Sequence, residues 1–224
     1  IIDRDIDDWD HVINRSAIGA FYQCGQVCIS VQHIYCHEEV YDEFKERFVK
    51  KTASLIVGDP LDEKTDVGPI IDDKNRQRIQ DWIAEAVSSG ASLIEGGTVD
   101  GTAIRPAILE SVDPTTKIAQ EEAFGPVVNI HKVASVEEAV AQANDSKFGL
   151  QVGLFSNSFQ NVQYVFNHMD VGGVIVNDVP TFRVDHMPYG GIKDSGLGRE
   201  GIRYAMEDML EEKVMVYFLS LIHI

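Results

Sequence analysis

Basic side chains are scarce in this sequence. Nineteen Lys and Arg stand against 36 Asp and Glu in 224 residues, a formal charge of −17. That imbalance argues against nucleic-acid backbone or anionic lipid as a general partner, because both need a cationic face. Cysteine is scarce as well, and the three present cannot pair off completely. A chain of this length buries roughly 70% of its unfolded surface, so it needs no disulfide or metal staples. No run of 18 apolar residues reads as a membrane-spanning helix. No basic region followed by an apolar core reads as a secretory signal. Internal repeats and low-complexity linkers are lacking too. With 44% apolar residues and a mean hydropathy of −0.10, the expectation is a soluble globular protein of the cytoplasm.

At roughly 150 residues per domain, the length corresponds to about 1.5 domains. The two ends bear on the unexplained half. Residue 1 is Ile rather than Met, and Ile1-Ile2-Asp3 reads as the end of a buried strand whose beginning lies upstream. At the other end, the codons CTG TCT CTT ATA CAC ATC of a transposase end used in sequencing libraries translate to Leu219-Ser220-Leu221-Ile222-His223-Ile224. The expectation is that residues 219–224 are read-through into adapter sequence and lie outside the fold.

What is present is periodic. Ile6, Trp9, Ile13 and Ala17 predict a helix within 5–21, and Val40, Phe44 and Phe48 mark another, closed by Gly58-Asp59-Pro60. Between them, residues 28–35 read as a buried strand. Ile79, Trp82, Ile83, Ala86 and Val87 form one apolar stripe over 72–89. Beyond it the pattern alternates. Strands are predicted at 127–133, 151–155 and 173–177, and helices at 135–144 and 159–168. Strands separated by helices argue an α/β fold with an open, mainly parallel sheet and helices on both faces.

Few motifs carry chemistry on letters alone. Cys28 follows Gly25-Gln26-Val27 at a helix-to-strand junction, where backbone N–H groups favour a thiolate or an oxyanion; a buried structural cysteine is the commoner alternative. Cys24, Cys28, His33 and His37 are too closely spaced for a zinc finger. Gly196-Leu197-Gly198-Arg199-Glu200-Gly201 matches the dinucleotide glycine pattern, but a turn-like segment precedes it. Only 23 residues follow, too few for helix, strand and ribose-binding acid, so it reads as a loop rather than a phosphate cradle. Glu121-Glu122-Ala123-Phe124-Gly125-Pro126 reads either as an acidic surface turn or as a carboxylate accepting from sugar hydroxyls beside a ring-packing Phe.

Together these segments resemble the aldehyde dehydrogenase superfamily over about residues 1–218. The resemblance rests on Gly25–Cys28, Glu121–Pro126, the stretch Asn144–Leu150, and Pro188-Tyr189-Gly190-Gly191-Ile192-Lys193-Asp194-Ser195-Gly196 continuing through Gly198-Arg199-Glu200. It implies a catalytic domain over 1–210, an oligomerisation strand over 211–218, and a cofactor domain N-terminal to both. It implies that Cys28 is the nucleophile, passing through a thiohemiacetal and a thioester, with its own N–H in the oxyanion hole. Glu122 would hold the nicotinamide ribose of NAD or NADP, and Phe124 would pack beside the nicotinamide. Asn177 falls where the family has an active-site Asn, with a turn residue before Pro180 as the alternative. Arg183 falls in the substrate loop, where a guanidinium could pair with a phosphate or carboxylate; the alternative is an ion pair with Asp185 or Asp178. The loop is most similar to glyceraldehyde-3-phosphate and lactaldehyde dehydrogenases. The family's general-base Glu and oxyanion Asn lie further upstream than Cys28's 27 predecessors reach, so this polypeptide alone is expected to oxidise no aldehyde. The implied partners are a small aldehyde and further copies of the chain, as dimer or tetramer. A non-catalytic member of the fold and a thiol-redox protein using Cys24 and Cys28 are the other readings.

Overall fold

A computed structural model describes residues 1–218. In chain order the elements are α1 (Trp9–Phe21), a 3-10 turn (Tyr22–Gly25), β1 (His33–His37), α2 (Glu38–Ala53) and α3 (Asp73–Ser88). There follow β2 (Ser92–Glu95), β3 (Val99–Asp100), β4 (Ala103–Ile104), β5 (Ala107–Glu110), α4 (Lys117–Gln120) and β6 (Val127–Val133). The last third carries α5 (Val136–Asn144), β7 (Phe148–Gly149), β8 (Gln151–Leu154), α6 (Phe159–His168), β9 (Gly173–Val176), β10 (Ile192–Lys193) and α7 (Ile202–Glu207). The predicted residues 219–224 tail lies outside the described residues.

Local chemistry sets the helix starts. Asp8, Asp72, Ser135 and Ser158 each accept from the backbone N–H three residues on, capping α1, α3, α5 and α6. Glu38 and Glu39 open α2, while Lys50 and Lys51 close it, matching the helix dipole at both ends. Helices α1 and α2 meet through aromatic rings, with Phe21 stacked 6.1 Å from Phe48 and Phe48 5.1 Å from Phe44. On α3 the buried stripe is Ile79, Ile83 and Ala86. Val87, expected in that stripe, is exposed at its edge, and Trp82 is covered by the Arg78 guanidinium 4.4 Å from its ring.

The main sheet runs β1-β6-β5-β2, with β1, β6 and β5 parallel and β2 antiparallel at the edge. Val127, Val128, Asn129 and Ile130 of β6 are all buried, as a strand covered on both faces requires. Strands β8 and β9 form a second parallel pair. Ile2 joins the two, bridging Cys36 on one side and Phe155 on the other. Its N–H donates to Tyr35 O at 2.8 Å and its C=O accepts from His37 N–H at 2.9 Å, while Asp3 N–H donates to Phe155 O at 3.0 Å. The result is one mostly parallel surface ordered β2-β5-β6-β1-Ile2-β8-β9. A large core packs α1, α2 and α3 on it, and a smaller cluster of Val136, Val140, Leu154 and Val165 seats α5 and α6.

One expectation shifts. The strand predicted over 28–35 is β1 at 33–37, because residues 28–32 are held in a loop by bonds back to α1: Val31 N–H reaches Gly19 O at 2.9 Å. Residues 211–218, expected as an interface strand paired by another copy, pair with no strand among the described residues of this single chain. They lie exposed, with Val214, Tyr217 and Phe218 largely in solvent. A strand needs a partner's backbone groups, and none within the described chain reaches it.

Candidate active site

The segment before Cys28 is wound against its steric preference. Gln23 (φ 49°), Cys24 (φ 58°) and Gly25 (φ 67°) are consecutive left-handed residues. Each non-glycine there costs about 1–3 kcal/mol unless its surroundings over-determine it. They do. Cys24 Sγ donates to Gly68 O at 2.9 Å. The Gln26 amide donates to Pro69 O at 3.3 Å and accepts from Ile71 N–H at 2.9 Å. A Cβ on Gly25 would overlap the carbonyl oxygen of Gly125, so this position admits only glycine. The loop before Cys28 therefore rests directly on the Glu121–Pro126 turn.

That turn is clamped from two sides. The Gln32 side chain donates to Ile118 O (3.0 Å) and Glu121 O (2.7 Å) and accepts from Ala123 N–H (2.9 Å). Arg78 donates to Ala123 O at 2.7 Å. Glu121 is engaged by Lys147 at 2.7 Å, while Glu122 has no ion-pair partner among the described residues. Phe124 follows in a left-handed conformation (φ 49°), 41% exposed.

Cys28, Gln32 and Glu122 share the wall of a cleft of about 270 Å³ that also takes in Ser30, Gln151 and Ser195. The Cys28 thiol is exposed there, and its sulfur lies 3.0 Å from Tyr189 Oη. The Cys28 backbone N–H makes no hydrogen bond within the chain among the described residues. Arg183 stacks 4.1 Å over the Tyr189 ring and donates to Glu200 at 2.9 Å. An exposed thiol beside an unspent N–H donor, in a cleft with an uncommitted carboxylate, can add to an electrophilic carbon and stabilise the oxyanion formed.

The Aldehyde dehydrogenase family pattern matches residues 1–215, nearly the whole chain. The chain belongs to the aldehyde dehydrogenase family. The 3-sulfolactaldehyde dehydrogenase of Priestia aryabhattai is 44% identical over 214 residues, covering 96% of this chain and 44% of that protein. The crystal structure of aldehyde dehydrogenase 21 from Physcomitrella patens, in complex with its product succinate, superposes with a TM-score of 0.93 at 46% identity, covering 96% of this chain and 45% of that one. The glyceraldehyde-3-phosphate dehydrogenase GapN of Methanocaldococcus jannaschii, complexed with NADP, gives a TM-score of 0.88 at 40% identity, with 93% and 45% covered. The chain thus spans less than half the length of these relatives.

Within this aldehyde dehydrogenase domain, the sequence-predicted residues fall into two groups. Cys28 and Glu122 line the same cleft. Asn177 does not line it, although Val179 and Pro180 do. It follows β9 directly at φ 55°, and its side-chain oxygen accepts from Ser156 N–H at 3.0 Å. Arg183 pairs with neither Asp185 nor Asp178. Its partner is Glu200, and Asp178 is taken by Arg15. Cys24 and Cys28 are both free thiols turned to different partners, Gly68 and Tyr189. Burial pushes the Cys24 thiol up.

Sequence reasoning missed three parts: the Gln32 clamp, the Gly25–Gly125 contact and the approach of Tyr189 to sulfur. The last two had a signal, since Gly25, Gly125 and Tyr189 all sit inside the motifs that carry the resemblance, whereas Gln32 lies in none of them. A further feature of the cleft wall is His33, whose Nδ1 lies 3.0 Å from His131 Nε2, with Tyr35 stacked 4.7 Å from the His131 ring. Burial, then the neighbouring His131, hold His33 down at about 3; burial holds His131 at about 4.

Proposed function

We propose that this chain is the catalytic part of an NAD(P)+-dependent aldehyde dehydrogenase that oxidises a small anionic or hydroxylated aldehyde to its carboxylate, with Cys28 as nucleophile. The observation that carries the reading is the exposed Cys28 thiol, whose own N–H is unspent, in one cleft with Glu122. The thiolate adds to the aldehyde carbon, and the oxygen's developing charge is met by the Cys28 N–H. Loss of hydride from the thiohemiacetal leaves a thioester on Cys28, which water releases as the carboxylate.

When bound, NAD(P)+ supplies the hydride acceptor. The residues present fit such a group. Glu122 offers an acceptor for ribose hydroxyls, and Phe124 offers a half-exposed ring on a turn held by Gln32 and Arg78. Asn177 is proposed to line the site in the longer enzyme, at the end of β9.

The substrate's anion is the finer part of the proposal. The names of the three relatives carry a sulfonate, a carboxylate and a phosphate. Arg183 is 39% exposed and, though not on the cleft wall itself, lies over the ring of Tyr189, whose hydroxyl is 3.0 Å from the Cys28 sulfur. A substrate anion would compete with Glu200 for the guanidinium. The exposed apolar residues 211–218 support assembly with another copy, since an unpaired apolar edge is an aggregation liability. A dinucleotide-binding region outside this chain is proposed to complete the enzyme, as the relatives' roughly twofold length suggests.

The test is NAD(P)+ reduction with sulfolactaldehyde, succinic semialdehyde and an uncharged aldehyde, in the longer enzyme that contains this chain. Cys28→Ala should lower kcat by at least about a thousandfold. Arg183→Ala should raise KM for the two anionic aldehydes well beyond its effect on the uncharged one, which feels only the loosened Tyr189 ring. Residues 1–224 alone should reduce no NAD(P)+. Activity retained in Cys28→Ala would sink the reading, and an equal effect of Arg183→Ala on all aldehydes would sink its substrate part.

A further inference from the structure

Tyr189 approaches the reactive sulfur as a built contact. The ring is 6% exposed, while the thiol it touches is open to the cleft. Both backbone groups of Tyr189 are paired with Glu200: its N–H donates to Glu200 O at 3.0 Å and its C=O accepts from Glu200 N–H at 2.6 Å. Glu200 also takes the Arg183 guanidinium, which lies over the Tyr189 ring. The ring is thus fixed from its edge and from its face, and the hydroxyl is left with the Cys28 sulfur, 3.0 Å away.

We propose that Tyr189 is a catalytic residue whose hydroxyl donates a hydrogen bond to the Cys28 thiolate, stabilising it before attack on the aldehyde. This rests on the reading of Cys28 as nucleophile. The direction of the bond follows from the chemistry of the pair. A phenol O–H is a better donor than a thiol S–H, and it ordinarily ionises about 1.5 units higher. Burial, and then the Cys28 sulfur itself, push the Tyr189 phenol up further. The phenol therefore keeps its proton and remains the donor. Arg183 over the ring draws electron density from it and strengthens that donor. The bond forms in a cleft rather than in bulk water, where a charge-assisted hydrogen bond is worth more.

A donor to the thiolate leaves a kinetic signature that a packing role does not. It raises the thiolate fraction at neutral pH, yet it makes each thiolate a weaker nucleophile, because nucleophilicity falls with basicity by a Brønsted factor of about 0.4–0.5. Tyr189→Phe removes one oxygen and keeps the ring. In the longer enzyme that contains this chain, the rate of Cys28 alkylation by iodoacetamide is followed against pH by peptide mass analysis. The midpoint in Tyr189→Phe should move up by about one unit, and the high-pH plateau should rise about two- to threefold. A midpoint that stays in place overturns the inference, and one that moves down makes the thiol the donor and overturns it equally. Should Tyr189→Phe fail to fold, 4-aminophenylalanine at position 189 keeps the shape and a weaker N–H donor. It should shift the midpoint in the same direction by less, and an unchanged midpoint overturns the inference. Cys28→Ala separates the two claims. If it is active, the nucleophile reading falls; if it is dead while Tyr189→Phe leaves the pH profile unmoved, only the role of Tyr189 falls.

Discussion

Gln32→Leu removes the clamp that ties the start of β1 to the turn carrying Glu122. The wild-type side chain serves three backbone groups: Ile118 O, Glu121 O and Ala123 N–H. They do not lose equally. Ile118 O keeps a second donor, Asn129 Nδ2 at 3.0 Å, so leucine strands only Glu121 O and Ala123 N–H. A buried backbone group left without a partner costs about 1–3 kcal/mol. Glu121 lines the open cleft, where water can reach, and takes the lower half of that range, whereas Ala123 is 1% exposed and takes the whole of it, giving about 2–5 kcal/mol in total. For a domain of this size each kcal/mol is roughly 2–4 °C in Tm, so the midpoint of melting followed by circular dichroism should drop by about 4–20 °C. A second readout tests position rather than stability. In the longer enzyme, a displaced Glu122 should raise KM for NAD(P)+ about 5- to 30-fold while kcat changes less. A Tm within about 1–2 °C of wild type would refute the clamp, since even one stranded group exceeds that. A KM unchanged at the lowered Tm would keep the clamp but detach it from cofactor binding.

Two more outcomes follow from the same coordinates of chemistry. Gly25→Ala should cost about 2–4 kcal/mol by urea unfolding, from left-handed strain plus collision with Gly125. Gly101→Ala, at φ 60° with nothing near its Cβ, should cost only the strain; equal losses would refute the contact. Stability should fall on acidification because His33 and His131 bind protons only near about 3 and about 4 when folded, against about 6.5 unfolded. Their contribution is fully present above about 6.5 and is lost as pH falls towards about 4, at up to about 1.4 kcal/mol per pH unit for each ring. His131→Gln should flatten the dependence of the urea midpoint on pH, and an unchanged slope would refute the linkage.

Much of the fold was legible because the information is local. The capped starts at Asp72 and Ser135, the stripe of Ile79, Ile83 and Ala86, and the strand Val127–Val133 all follow from residues within one turn or one strand. The short strands β2 to β5 were not legible. Each is two to four residues long, too short for a period to register. The strand predicted over 28–35 slid to 33–37 because the choice was made by Gly19, Ile118 and Ala123, which lie far away in sequence.

The sequence by itself determined the family, the α/β class, the likeness of Cys28 to a nucleophile, and the acidic balance, since each is a property of residues read in order. Which carboxylate of Glu121-Glu122 is free was decided by Lys147, twenty-six residues on. Arg183's partner was decided by where the loop brings Glu200 rather than by its nearer aspartates. The oxygen beside the Cys28 sulfur comes from Tyr189, 161 residues away. Hydrogen bonds and ion pairs act over a few ångströms, and distance along a chain says nothing about them until the sheet has folded it back on itself.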